Sequence, residues 1–410
     1  MKITPTVSRR LVQVVAAAAV AAAGLAGTLA TGPAASASPI AGHAVATSPT
    51  WRTQVTPEPA GSIDQSFDGV SCSSSSACLA VGSYVLSHHV GIILGAFAET
   101  WNGSRWTVRK VPNGTGRAFL EAVKCRSARW CVAVGGIQGG SAPGNQVPVA
   151  DTWNGRTWKQ VKLPLPAGAT SGTLAAVACS GTAACTAIGQ SANKSQVQSL
   201  LAERWNGSAW KVEPMPAPAG ANLEGIACPT VHACRAVGDD TQGLLTEFRN
   251  GSSWVVQPAP VPAGTTLQDV SAISCTSADS CEAVGTYESK TNLDWYSLAE
   301  VWNGSRWRVQ ATPAISGATS AMLSTVSCVS ATDCEAGGQV TTKGDSVALG
   351  VLEKWNGTKW SIQEKLPAKQ TGPSRVEGVS CTAGPVCEAV GFRSEPVDGG
   401  TLLAQRYSSR

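Results

Sequence analysis

The sequence predicts an all-β fold, a seven-bladed β-propeller of four-stranded blades, and three observations carry that prediction. All fourteen cysteines fall into seven pairs of identical C-x5-C spacing, with first cysteines 53, 54, 49, 47, 53 and 53 residues apart. A period near fifty marks a propeller, solenoid or array. A second block, Trp-Asn-Gly-x-x-Trp, follows five of the pairs by about twenty residues, and a sixth carries the degenerate Arg249-Asn250-Gly251-Ser-Ser-Trp254. The third observation is a repeat split between the two ends of the chain.

The template is Leu120-Glu-Ala-Val-Lys-Cys125-x5-Cys131-Val-Ala-Val-Gly135, then Ala150-Asp-Thr-Trp153-Asn-Gly-Arg-Thr-Trp158. Strand A is the run into the first cysteine and strand B leaves the second. Strand C is the apolar run into Trp-Asn-Gly, and strand D is Trp-x-Val up to the prolines. Asn-Gly favours positive φ and a tight hairpin, which sets the flanking tryptophans opposite each other. Prolines after strand D, as in Pro164-Leu165-Pro166, suit an exposed outer edge strand and its crossover. Blades arranged radially protect their edges.

The split repeat argues for a ring. Trp51-Arg-Thr-Gln-Val-Thr-Pro57 matches the strand D segments Trp106-Thr-Val-Arg-Lys-Val-Pro112 and Trp307-Arg-Val-Gln-Ala-Thr-Pro313, yet no strand C precedes it. At the other end Leu402-Leu-Ala-Gln405-Arg-Tyr407 matches a strand C, Leu298-Ala-Glu300-Val-Trp302, with no strand D after it. An open solenoid has no reason to divide a repeat in this way. The prediction is that the N-terminal strand, about 51–57, pairs with the C-terminal strand, about 401–408.

Residues 1–37 read as an export signal. Lys2, Arg9 and Arg10 precede an uncharged Ala/Val/Leu run, and Ala35-Ser36-Ala37 fits a small-residue cleavage pattern. Ser8-Arg9-Arg10-Leu11 has a twin-arginine look, so Sec and Tat export both stay open. The competing reading of the run is a transmembrane anchor. Residues 38–50 read as a flexible linker and 51–410 as the propeller. The mature chain is then expected outside the cytoplasm, secreted or held in the cell envelope, as a monomer with no membrane span. Removing the leader leaves 28 Lys+Arg against 27 Asp+Glu. That balance argues against nucleic acid or an anionic membrane as the main partner.

In an exported chain, one C-x5-C pair per repeat reads as a local disulfide clipping the A–B hairpin. The expected bonds are Cys72–Cys78, Cys125–Cys131, Cys179–Cys185, Cys228–Cys234, Cys275–Cys281, Cys328–Cys334 and Cys381–Cys387. Zinc sites use closer spacings and gather four ligands, so no metal is expected there. With no thiol left over, cysteine nucleophiles are excluded as well.

The pattern resembles the kelch-like propellers, in which a strand ending in Gly-Gly precedes an aromatic residue and a tryptophan across a turn. Gly135-Gly136 and Gly337-Gly338 match fully. The Trp-Asn-Gly-x-x-Trp turn is similar in position to the Asp-box of sialidase-type propellers but lacks its Asp. The C-x5-C hairpin looks like a disulfide-stapled variant found in secreted bacterial propeller proteins of unassigned function. This resemblance implies a fold over residues 51–410 and no particular activity.

A carboxylate recurs just before the strand C tryptophan: Glu99, Asp151, Glu203, Glu247, Glu300 and Glu353, with Gln405 in the last unit. A ring of acids invites a glycosidase reading. A residue present in every blade answers a need of every blade, however, so these are expected to bond neighbouring backbone or a basic partner. The Asn-Gly-Ser/Thr sequons at Asn102, Asn206, Asn250, Asn303 and Asn356 follow from the turn chemistry.

The repeated A–B and C–D turns lie on one face of a propeller, and the variable B–C and D–A loops lie on the other, where function is carried. Candidate ligand-binding residues there are Asp239 and Asp240, then Tyr287, Glu288, Asp294, Trp295 and Tyr296, and finally Arg393, Glu395 and Asp398. The 286–296 loop combines aromatics and carboxylates that could stack on and hydrogen-bond a sugar. The alternative is a loop packing its aromatics over the channel mouth. His88-His89 could ligate a metal, but neighbours on a strand point opposite ways, and a solvated loop is the simpler reading. A copper centre like that of galactose oxidase would need a free cysteine and is rejected. No cofactor and no catalytic residue is assigned.

Two functions lead, beside a third, purely structural role in the envelope. The first is an extracellular module that binds a glycan or a protein on the B–C/D–A face. The second is a polysaccharide hydrolase or lyase using two converging loop carboxylates.

Overall fold

Each predicted unit folds as four antiparallel strands, because apolar side chains recur at alternate positions and turn residues punctuate them. The computed structural model describes residues 50–86, 94–112, 117–138, 146–343, 347–366, 372–384, 386–395 and 399–408. The expected leader and residues 38–49 of the expected linker lie outside these residues, as do His88 and His89, while Thr50 begins the first strand.

The N-terminal strand β1 is Thr50–Thr53. Unit 1 follows as β2 (Asp64–Ser74), β3 (Ala77–Val85), β4 (Leu94–Trp101) and β5 (Trp106–Arg109). Unit 2 is β6 (Ala118–Ser127), β7 (Trp130–Gln138), β8 (Gln146–Trp153) and β9 (Trp158–Lys162). Unit 3 is β10 (Ala169–Gly181), β11 (Ala184–Asn193), β12 (Gln198–Trp205) and β13 (Trp210–Val212). Unit 4 is β14 (Asn222–Ala227), β15 (Ala233–Asp240), β16 (Gly243–Asn250) and β17 (Ser253–Gln257). Unit 5 is β18 (Thr265–Ser277), β19 (Ser280–Ser289), β20 (Trp295–Trp302) and β21 (Trp307–Gln310). Unit 6 is β22 (Ala318–Ser330), β23 (Asp333–Thr342), β24 (Leu349–Trp355) and β25 (Trp360–Lys365). The last unit contributes β26 (Ser374–Thr382), β27 (Val386–Glu395) and β28 (Gly399–Ser408).

Strands pair in chain order within each unit, and a single parallel bridge, Trp295 to Ser320, joins units 5 and 6. The fourth strand of the last sheet is β1, whose Trp51 lies opposite Tyr407 of β28. The expected pairing of the two ends is therefore present. Among the described residues there is no helix, and the chain is an all-β, propeller-type fold.

The register explains the repeat. Cys125 pairs with Cys131, Cys131 with Trp153, and Trp153 with Trp158, so the motif residues form one row across the sheet. In the last unit the row is Cys381, Cys387, Tyr407 and Trp51. All seven expected disulfides are formed. The paired tryptophan rings sit 5.4–5.8 Å apart in five units.

The glycine after strand B's Ala-Val has a steric cause. Each innermost strand bulges just after the point where this glycine faces it, as between Leu223 and Gly225 opposite Gly238. A Cβ on Gly82, Gly135, Gly189, Gly238, Gly285, Gly338 or Gly391 would lie 1.9–2.1 Å from a carbonyl oxygen of that strand. Only glycine fits there.

The Asn-Gly turns differ from the expected form in one respect. Glycine alone takes positive φ, as at Gly103 and Gly155, and the asparagine works through its side chain. Asn102 Oδ1 accepts from the backbone N–H of Ser104 and Arg105 at 3.0 Å each, and the Ser104 hydroxyl donates to it at 2.9 Å. The sequon serine thus belongs to the turn.

Units pack through shared apolar layers. Val390, Leu402 and Ala404 of the last unit join Phe67, Phe97, Trp101 and Trp106 of the first. A serine before the first cysteine adds a polar link between neighbours. Ser71 Oγ accepts from Cys125 N, Ser274 from Cys328, Ser327 from Cys381, and Ser380 from Cys72.

Candidate functional site

The hairpin between β19 and β20 presents the densest cluster of candidate residues. Tyr287 lies opposite Tyr296 and Glu288 opposite Trp295. Period-two alternation therefore divides the cluster between two faces. The rings of Tyr287 and Tyr296 stack, with centroids 5.5 Å apart and planes 26° off parallel. Tyr287 borders the apolar cluster that holds Val237 of unit 4 and Val270 of unit 5, and Leu244 of unit 4 borders it too, so the tyrosine pair lies on the unit 4 side of the hairpin. Burial raises the Tyr287 phenol above its ordinary value, and the neighbouring Tyr296 adds to the rise.

Glu288 and Trp295 take the other side. Thr286, on their face, donates to the Ala321 carbonyl of unit 6 at 3.3 Å, and Trp295 makes the bridge to Ser320. The Glu288 carboxylate accepts from the Thr266 hydroxyl. The 286–296 segment is thus a divider between two crevices rather than one binding surface.

Its tip is well determined. The Ser289 N–H donates to the Asp294 carbonyl and the Leu293 N–H to the Ser289 carbonyl, both at 3.0 Å. Asn292 Nδ2 donates to Asp294 Oδ2 at 2.7 Å and to Tyr296 Oη at 2.8 Å. Leu293 sits at the tip with φ of +60°, exposed.

Asp239 and Asp240 end β15 in the neighbouring hairpin of unit 4, where Asp239 pairs with Leu244 and Asp240 with Gly243. Asp240 Oδ1 accepts from the Gln242 N–H at 2.6 Å. Gln268 of unit 5, which lies opposite Tyr287, covers Gly243: a Cβ there would sit 2.6 Å from its Oε1. The structure therefore brings Asp239, Asp240, Tyr287 and Tyr296 to adjoining hairpins. Arg393 is not among them. It lies on β27 of the last unit, beyond unit 6, and its Nε donates to Thr401 Oγ1 at 3.1 Å. Asp398 and the side chain of Glu395 lie outside the described residues.

The repeated strand C carboxyls correct one expectation. Glu99, Glu203, Glu247, Glu300 and Glu353 are at most 1% exposed, and neither oxygen of any of them has a hydrogen-bond partner. They do not bond backbone or a basic group as expected. Burial pushes these five up to about 8. Asp151 rises to about 7 by burial, moderated by a hydrogen bond with Gln160. These acids sit within the packed interior, out of reach of any polymer.

A pocket of about 480 Å³ lies elsewhere, between the end of β5 and the β8–β9 turn, lined by Arg109, Lys110, Arg156, Trp153 and Trp158 among others. The regularities of the repeat do not point to it. The available signal was the run of cations between residues 101 and 162.

No protein-family model and no curated protein matches this chain. Among solved structures it is similar to YCF48 from Cyanidioschyzon merolae, at 11% identity and a TM-score of 0.48, over 88% of this chain and 98% of that one. A polysaccharide lyase family PL25 ulvan lyase bound to -[GlcA(1-4)Rha3S]- gives 8% and 0.48, over 86% and 95%. Sqt1 from Chaetomium thermophilum gives 11% and 0.44, over 85% and 89%.

Proposed function

We propose that this chain is an exported, extracellular binding module that recognises a glycan or a protein on the B–C/D–A face, in the crevice between units 4 and 5. The observation that carries this reading is the stacked Tyr287–Tyr296 pair, whose Tyr296 hydroxyl is held by Asn292 beside the Asp239–Asp240 hairpin. A flat aromatic pair bordered by fixed polar groups suits a sugar ring or a protein side chain. Seven disulfides support an oxidising compartment, and no helix among the described residues is long and apolar enough to cross a membrane. Export by the 1–37 leader, a 38–50 linker and a monomeric state complete the proposal, and the Gly-Gly strands make kelch-like kinship part of it.

Binding is favoured over catalysis by how the carboxylates are used. Glu288, Asp294 and Asp240 each accept hydrogen bonds within their own unit. The acids held protonated near neutrality are walled into the core.

The test is binding of the mature, oxidised protein to a glycan and polysaccharide array, beside Tyr296→Ala and Trp295→Ala variants. The expected result is that Tyr296→Ala weakens binding about tenfold or more while Trp295→Ala, on the far side of the hairpin, retains it. The converse pattern moves recognition to the crevice between units 5 and 6. Binding by no form removes the carbohydrate half and leaves a surface protein as the partner to seek. Turnover of a bound polymer would favour the hydrolase or lyase instead.

A further inference from the structure

We infer that the pocket between units 1 and 2 is a second binding site, for an anionic sugar bearing a carboxylate or sulfate. The inference does not rest on the crevice reading, since it uses different strands on a different pair of units.

It begins with a contact made in three units and missing at this pocket. In three units the strand D tryptophan donates its indole N–H to the residue three places after the strand D tryptophan of the preceding unit, whereas the Nε1 of Trp51, Trp158, Trp210 and Trp307 has no partner. Trp106 Nε1 donates to Gln54 Oε1 at 2.8 Å, Trp254 to Glu213 Oε2 at 3.0 Å and Trp360 to Gln310 Oε1 at 2.6 Å. For Trp158 the corresponding residue is Arg109, which has nothing to accept with. The Trp158 indole N–H is buried and has no acceptor.

Arg109 is held in place for the task. Its Nε donates to Thr100 Oγ1 at 2.9 Å, and its guanidinium carbon lies 5.9 Å from the centroid of the Trp153 ring. Lys110 and Arg156 line the same pocket. No carboxylate among the described residues pairs with any of these three cations, whereas Arg249, Lys354, Arg375 and Arg406 each have one.

Charge points the same way. Residues 101–162 carry ten Lys+Arg against two acids, Glu121 and Asp151, while the rest of residues 38–410 carries 18 against 25. Both of those acids are buried. The near-neutral total conceals a strongly basic sector. Three cations without a carboxylate partner call for an anion, and the Trp158, Val111 and Pro112 walls offer an apolar side to a sugar ring. The volume suits one small ligand unit rather than an extended duplex.

The test is titration of the immobilised mature protein with dextran sulfate, polygalacturonate and neutral dextran at about 0.15 M salt. The expected result is binding of one or both anionic polymers and none of dextran, the preferred polymer telling sulfate from carboxylate. Arg109→Gln should weaken that binding at least about tenfold, since it removes a charged donor. It leaves thermal unfolding intact, because glutamine gives Trp158 the acceptor that Gln54 gives Trp106. Arg308→Gln, an equal charge change on the exposed outer strand of unit 5, should stay within about twofold. Trp295→Ala and Tyr296→Ala should leave this binding unchanged, so the two sites stand or fall separately. Equal losses in Arg109→Gln and Arg308→Gln would reveal diffuse attraction and overturn the proposal. Displacement by polyglutamate or duplex DNA as effective as by the polysaccharide overturns it too, as does failure of both anionic polymers to bind.

Discussion

The glycine that ends each Ala-Val-Gly run shows how one atom can decide a position. Gly238 faces the bulge of β14, and an added Cβ would lie 2.0 Å from the Asn222 carbonyl oxygen and 2.9 Å from Leu223 Cα. Backbone on both sides leaves nothing flexible to give way. Gly238→Ala should therefore cost about 3 kcal/mol or more in urea unfolding. Gly181→Ala, at the turn end of β10 with nothing within 4 Å of an added Cβ, should change stability by no more than about 1 kcal/mol. Similar losses at both positions would mean that a general preference for glycine, not the bulge, selects it. The sequence displayed this glycine seven times but concealed its reason, because a bulge is a property of the partner strand. The asparagine of Trp-Asn-Gly was likewise visible. Its part, accepting two backbone N–H groups rather than adopting positive φ, depends on a side-chain rotamer that spacing does not reveal.

Hairpins and crevices separate what the repeat discloses from what it hides. Cysteine pairing followed from spacing and compartment, and the register gives it meaning. Cys179 and Cys185 are directly opposed at the closed end of the β10–β11 hairpin, with both side chains buried. Removing the pair as Cys179→Ala with Cys185→Ala releases a short loop in the unfolded chain and should cost about 2–4 kcal/mol. The check is the urea midpoint of the oxidised double variant against the parent. A shift corresponding to less than about 0.5 kcal/mol would show the clip to be idle in a hairpin already held by its tryptophan row. The 286–296 loop shows in the sequence as a cluster of aromatics and carboxylates, but its division between two faces does not. Residues 287 and 288 are neighbours in sequence and face different units, as strand parity requires once the B–C register is known. The Arg109 pocket draws on two outer edges nearly fifty residues apart. It becomes visible only when each unit's residue is compared with its counterpart in the next.

Across the assembled units, small repeated costs combine into a property of the molecule. Five strand C glutamates and Asp151 are buried with raised proton affinity, one per unit, and the last unit replaces the acid with Gln405, whose Nε2 donates to Thr53 Oγ1 at 3.1 Å. Their ordinary values of 4.5 and 3.8 belong to the unfolded chain, and the folded values lie near 8 and 7. Below the unfolded values both states hold the proton, and the buried carboxyls impose no charge on the core. Between those values the folded state keeps protons that the unfolded chain has released, so stability falls as pH rises and is lost through about pH 7–8. The melting temperature should thus be higher near pH 5.5 than near pH 8.5, opposite to a protein stabilised by ionised, salt-bridged carboxylates. Gln405 identifies the variant that isolates the cause. Glu203→Gln keeps the shape and removes the proton equilibrium, so it should raise the melting temperature near pH 8.5 and leave it nearly unchanged near pH 5.5. A flat profile in the parent, or a Glu203→Gln variant destabilised equally at both pH values, would mean that burial does not raise the proton affinity of these acids in the folded protein. In the first case the repeated acid is a passive core residue. In the expected case it ties the stability of every unit to the same proton equilibrium, and a chain that leaves an acidic environment loses stability in all of them together.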